Sequence, residues 1–246
     1  MFRNGKIRAC KMDICSASLV MRVLLICDDY WHPGQVSIDG VAPLAQDGFH
    51  FDIVTNANDF SPDMLKQYPV VLLVKSDEVS QTDKQPWKTE TVQQAFVNYV
   101  EGGGGLIAVH SATVCGQNTQ ALDQLIGCRF LGHPNACPVT VQPVKNHPVT
   151  EGVEMFCETD EHYRIDITAS DADVLIASYS PPQGDESKLE EDPYHNTHAA
   201  ICASGYVRTQ GAGRVCVLTS GHLLPVWLNP QFQKLLANAL RWCSGQ

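Results

Sequence analysis

Three histidines stand just after three apolar runs, and imidazole is the side chain whose charge changes near neutral pH, so each can serve as base, acid or metal ligand. His32 closes the polar stretch Asp28, Asp29, Tyr30, Trp31, His32 behind the run Val23–Cys27. His110 and Ser111 follow Leu106–Val109, and Ser220, Gly221 and His222 follow Val215–Thr219. A fourth run, Val70–Lys75, leads into Ser76, Asp77 and Glu78. Polar residues at one strand end are ordinarily just the start of a loop; histidines at three strand ends favour function for the set. The central segment adds His133-Pro134, His147-Pro148 and Glu158-Thr-Asp-Glu-His-Tyr163. A carboxylate beside imidazoles can complete a general acid–base pair or a metal site of mixed His and Asp/Glu ligands. Asp160 and Glu161 are adjacent, so on an extended chain they point to opposite sides and at most one faces a given ligand. Each His-Pro also fits a turn whose imidazole bonds the backbone, His147 more so than His133. No role is assigned to His50, His162 or His195.

The elements that must position these groups alternate short apolar runs with helical periodicity from Met21 onward, the signature of a parallel sheet wrapped by helices. Val23–Cys27, Phe51–Thr55, Val70–Lys75, Leu106–Val109 and Val215–Thr219 read as strands, the near-continuous apolar ones as strands buried on both faces. Ile38–Gln46 reads as a short helix closed by Gly48, and Ser61-Pro62 as a helix start. Within Glu90–Glu101, Val92, Ala95, Phe96, Tyr99 and Val100 form one helical stripe, stopped by Gly102–Gly105. Asn229-Pro230 caps a last helix with Phe232, Leu235, Leu236, Ala239 and Leu240 on one face. The stretch 131–207 is less regular: Pro138–Val144 and Val174–Tyr179 read as strands, and Pro181–Asn196 as a long polar loop, mobile or a lid. In open sheets of this kind ligands sit outside the carboxyl ends of the strands, where the three histidines stand. The four glycines precede a strand, whereas a dinucleotide fingerprint needs its glycines after one. Position 110 has the context of a nucleophile elbow but holds histidine, with Cys115 further on.

The composition bounds the function. The chain has 246 residues, with 17 Lys+Arg against 27 Asp+Glu, a formal net charge of −10, and 44% apolar residues. This is a globular composition long enough to hold itself together without disulfide or metal staples. Residues 1–20 read as an N-terminal extension, flexible in character, and 21–246 as one domain. No Lys/Arg cluster offers nucleic acid or an anionic membrane an electrostatic footprint, and no apolar stretch reaches the length of a membrane span. Arg3, Lys6, Arg8 and Lys11 resemble the start of a signal peptide, but Arg22 interrupts the apolar run behind them. The 10 cysteines never approach C-x-x-C spacing and read as free thiols of a reducing compartment, the cytoplasm.

The order of motifs is similar to that of a known family. Gly103-Gly-Gly-Leu-Ile-Ala-Val-His110, Gly132-His-Pro134, His147-Pro-Val-Thr150, Asp160-Glu161 with Tyr163, Gly213-Arg-Val215, Gly221-His222 and a terminal helix reaching Trp242 resemble the ThuA-like family over 21–243. That family is associated with bacterial trehalose utilisation. The resemblance implies an α/β, flavodoxin-like (class I glutamine amidotransferase-like) three-layer sandwich with a mostly parallel central sheet. Amidotransferases of this fold carry a catalytic Cys at the elbow and a Glu two residues beyond the catalytic His; here His110 and Leu224 stand there, which argues against glutamine hydrolysis. The family pattern instead implies a cleft of His32, His110, His133, Asp160, Glu161, Tyr163 and His222. The expectation is action on a small-molecule sugar, trehalose or a related disaccharide or keto-sugar. His110, His222, Asp160 and Glu161 are the catalytic candidates, with Trp31, His32, His133, Tyr163 and Ser111 for substrate. A divalent metal on His32, His110, His222 and Glu161 is the one cofactor considered. The runner-up is a non-catalytic sugar-binding or regulatory module, and assembly as a homo-oligomer is left open.

Overall fold

The computed structural model describes residues 20–114, 116–181 and 201–246. The N-terminal extension, nearly all of the 181–196 loop and Cys115 lie outside the described residues. The chain order is β1 (Met21–Cys27), α1 (Gly34–Val41), β2 (Phe49–Val54), β3 (Val70–Val74), α2 (Glu90–Glu101), β4 (Gly105–Val109), α3 (Gln120–Ile126), β5 (Cys128–Gly132), β6 (Cys137–Pro143), β7 (Phe156–Asp160), β8 (Arg164–Ile167), β9 (Asp173–Tyr179), β10 (Ile201–Gln210), β11 (Gly213–Leu218), α4 (Leu224–Leu228) and α5 (Pro230–Cys243).

Strand alternation explains the layers. Val23, Leu25 and Cys27 of β1 enter one core and Leu24 and Ile26 the other, since successive side chains leave a strand on opposite faces. α1 and α5 cover the first face; α2 and α3 cover the second. A sheet covered on both faces must be apolar throughout, and β3 and β4 are buried at every residue. The helix at Glu90–Glu101 has the expected bounds: Thr89 caps it through the Val92 amide, and the chain reverses at Gly103, whose φ of 109° suits glycine. The helix expected over Ile38–Gln46 begins earlier and breaks at Val41. Pro43 has no amide to give, and the chain continues as a 3₁₀ turn, Ala42–Asp47, closed by Gly48. Ser61-Pro62 likewise opens a 3₁₀ turn, Pro62–Gln67, in place of an α-helix.

The nine strands of the main sheet run β2-β1-β3-β4-β11-β10-β9-β6-β7, with β5 and β8 pairing separately. From β2 to β11 every pairing is parallel, as the apolar runs imply; from β11 to β7 every pairing is antiparallel. The architecture is therefore the expected α/β sandwich, parallel at one end and extended antiparallel at the other. The extension positions the site. The end of its edge strand β7 meets the loop after β11, where the Gly221 and His222 amides donate to the Asp160 carboxylate at 2.8 and 2.9 Å.

Candidate functional site

At the carboxyl end of β4 the chain turns abruptly into a 3₁₀ turn, His110–Thr113, and His110 has a φ of 47°. Asp28, at the end of β1, has a φ of 74°, and these are the two non-glycine residues with positive φ among the described residues. Backbone held in that region costs free energy and clusters at functional sites. The elbow geometry expected at position 110 is present.

The elbow carries His110 into a cluster. Its Nδ1 donates to the Thr219 carbonyl at 2.8 Å, and the residue is 1% exposed. His32 is held from behind by Asp29, whose Oδ1 lies 2.7 Å from His32 Nδ1. Asp29 also accepts the amides of Trp31, His32 and Ser76 at 2.9, 3.0 and 3.0 Å, fixing the loop after β1 to the end of β3. His222 is set by the Asp160 bonds just described, and Gly221, at a φ of 139°, makes the turn before it. The three rings form a near-equilateral triangle with centroids 5.1, 5.2 and 5.4 Å apart. Glu161 enters the triangle: its Oε2 lies 3.1 Å from His222 Nδ1, 3.4 Å from His110 Nε2 and 3.6 Å from His133 Nε2. Neither of the first two contacts is a hydrogen bond, so His110 Nε2 and His222 Nδ1 are buried without a hydrogen-bond partner, within ion-pair distance of Glu161.

Burial opposes charge throughout, and the histidines decide the outcome. Glu161 is resisted by burial but held well below the usual carboxyl range by His110, His222 and the nearby His133. Asp29 is likewise held low, as His32 and the amides outweigh its burial. Burial lowers His110, Glu161 opposing, whereas Glu161 raises His222 against burial. Burial raises Asp160, against the charge of His110 and the two amides it accepts.

The expectation that only one of Asp160 and Glu161 could face a ligand agrees with this geometry. Glu161 faces the imidazoles, while Asp160 turns away and braces the loop carrying His222. Tyr163 lies 3.7 Å from His110, ring to ring, and its hydroxyl is 3.3 Å from His32 Nε2. The Tyr163 ring is also flanked by Phe130 and His133 and is buried, so it walls the cluster and offers no open stacking face. Ser111 is fully buried with its hydroxyl unpaired, sealed from a ligand in solution. Trp31 is 65% exposed and packs edge-on against Tyr30. His133 sits at the rim, its Nδ1 donating to its neighbour's carbonyl, Pro134 O, at 2.9 Å. His147 caps a 3₁₀ turn through the Val149 amide, the turn role that fits a His-Pro pair. His162 is buried between Ser178 and Ser180, and burial followed by the charge of Arg164 lowers its pKa to about 4.

Sequence reading did not single out Asp29, Thr219 or Trp227, which hold the cluster without lining it. Asp29 carried a signal, a carboxylate three residues before a candidate histidine. A cleft of about 900 Å³ opens beside Ser76, Asp77 and Glu78 and is lined further by Lys84, Lys88 and Gln93, but by none of the histidines. The two regions adjoin: the Ser76 amide bonds Asp29, and Lys84 lies over the Tyr30 ring at 3.4 Å.

Comparisons with known proteins fit this geometry. A family model, ThuA, described as trehalose utilisation, matches residues 22–243. A ThuA-like protein of Bacteroides uniformis superposes with a TM-score of 0.67 at 20% identity, covering 93% of each chain. A cytoplasmic protein of Salmonella typhimurium follows at 0.60 and 16%, covering 91% of this chain and 99% of that one. A glutamine amidotransferase of Thermotoga maritima gives 0.56 at 12%, covering 93% of this chain and all of its own (100%). No curated protein matches the sequence.

Proposed function

The chain belongs to the ThuA family and shares its fold with a glutamine amidotransferase, and from that membership we propose that it is a sugar-modifying enzyme of the cytoplasm. Its substrate is trehalose or a related disaccharide or keto-sugar. One observation supports this reading above the others: three imidazoles and a carboxylate, brought from four separate segments, converge at the carboxyl rim of the sheet with two ring nitrogens unpaired. Buried polar atoms left without partners cost stability, and a fold keeps such an arrangement where it serves a ligand or a reaction.

The surroundings suit a polyhydroxylated ligand. The adjoining cleft presents carboxylates, lysines and side-chain amides, and Trp31 supplies an open aromatic face beside His32. The cluster acts on a hydroxyl or carbonyl of the sugar. His133 stands outside the triangle, half-open to solvent with Nε2 turned toward Glu161, in the place from which a proton can be exchanged with a bound sugar. As bare groups, His110, whose pKa burial lowers, and His222, whose pKa Glu161 raises, form a base and acid pair. The cytoplasmic assignment draws on the cysteine spacing, which never approaches C-x-x-C; no helix among the described residues is long and apolar enough to cross a membrane.

The test is turnover. Purified protein incubated with a panel of disaccharides and their 3-keto derivatives, with and without Zn²⁺ or Mn²⁺, is expected to convert at least one of them. Binding of a sugar with every member left unchanged would replace the enzyme by a sugar-binding module on the same fold.

A further inference from the structure

We infer that His32, His110, His222 and Glu161 form a binding site for one divalent transition-metal ion, with Asp29 and the Thr219 carbonyl as its outer supports. The inference concerns the site of the preceding reading, but the ion can bind whether or not a sugar is turned over.

The argument begins with which ring nitrogens carry protons. A backbone carbonyl can only accept, so His110 Nδ1 is the donor to Thr219 and the neutral ring presents a lone pair at Nε2. A carboxylate can only accept as well, so His32 donates from Nδ1 to Asp29 and its Nε2 also presents a lone pair. His110 Nε2 lies 3.4 Å from the Glu161 carboxylate, which is again an acceptor, and His32 Nε2 lies 3.3 Å from the Tyr163 hydroxyl. At His110 an acceptor faces an acceptor, with Nε2 fully buried and without a hydrogen-bond partner, and a cation bound between the two groups relieves that arrangement. No lysine or arginine among the described residues lies within ion-pair distance of Asp29 or Glu161; their only such partners are histidines.

Size and chemistry agree. One potential ligand atom from each of the four residues lies within 4.8 Å of every other. Nitrogen and oxygen ligands bind such ions at about 2.0–2.2 Å, so two on one ion are at most about 4.4 Å apart, and shifts of a few tenths of an ångström close the set. Three imidazoles and one carboxylate suit first-row transition ions, whereas Mg²⁺ and Ca²⁺ prefer oxygen alone. The supports match what metal-bound histidines require: a second nitrogen held by a carboxylate in one case and by a backbone carbonyl in the other. His133 falls outside the set, which leaves it free for proton exchange at the rim. A bound ion would polarise a sugar hydroxyl or carbonyl.

Metal content of the full-length protein tests the site. Chelator-treated protein dialysed against Mn²⁺ or Zn²⁺ is expected to hold one ion per chain and to melt at higher temperature with it, and Mg²⁺ is expected to give neither effect. Asp29→Asn should weaken affinity roughly 10- to 100-fold, and Glu161→Gln and His222→Gln should each abolish stoichiometric binding while circular dichroism stays native. Substoichiometric metal in the wild type, or unchanged affinity in both Glu161→Gln and His222→Gln, would overturn the site. Stoichiometric metal with no sugar converted would keep the site and sink the preceding reading instead.

Discussion

Replacing Glu161 by glutamine is expected to reduce kcat for the converted sugar by roughly 10²- to 10⁴-fold, with a much smaller change in KM. Among the described residues Glu161 is the one carboxylate within 3.6 Å of three different imidazoles, and glutamine keeps its shape while removing its charge. Without that charge the rise that Glu161 gives the His222 pKa is lost, and the triangle no longer attracts a cation. Asp160 cannot substitute, because both its oxygens are committed to the Gly221 and His222 amides. Steady-state kinetics decide it, and a variant within about tenfold of wild type would move the chemistry away from this cluster.

The largest stability loss is expected at Trp227, which is fully buried in the core beneath the site. Its ring lies against Gly40, where a Cβ would come within 2.6 Å of the Trp227 Cγ, and 5.4 Å from the ring of Phe232. Trp227→Ala leaves that space empty and should cost about 3–5 kcal/mol in denaturant unfolding. The same indole donates to the Gly221 carbonyl at 2.8 Å, beside His222, so packing and site geometry are joined there. Trp227→Phe keeps most of the volume and loses chiefly that hydrogen bond, a cost nearer 1 kcal/mol. Equal losses in the two variants would mean that cavity formation does not dominate.

The parallel half of the sheet was legible because a strand covered on both faces must be apolar almost without interruption, and β1, β3, β4 and β11 are. The antiparallel half was harder to read. Phe156-Cys-Glu-Thr-Asp160 is a strand whose middle is partly open to solvent, and its residues, taken alone, resemble a polar loop. β5, β8 and the short α3 passed unseen for similar reasons, since a few residues give periodicity little to act on. Histidines 32, 110 and 222 could be found because strand ends on a parallel sheet share one rim. The sequence placed Asp160 and Glu161 on opposite sides but held nothing to say which faced inward, because that depends on how β7 meets the loop after β11. The Thr219 carbonyl has no sequence signature at all, being backbone.

Anomalous diffraction from crystals of the protein grown with Mn²⁺ or Zn²⁺ tests the central claim most directly. The geometry described here requires a single strong peak about 2.0–2.4 Å from nitrogens of His32, His110 and His222 and an oxygen of Glu161. Rings that point away from one another around an empty centre, with the ion bound elsewhere or nowhere, would contradict it.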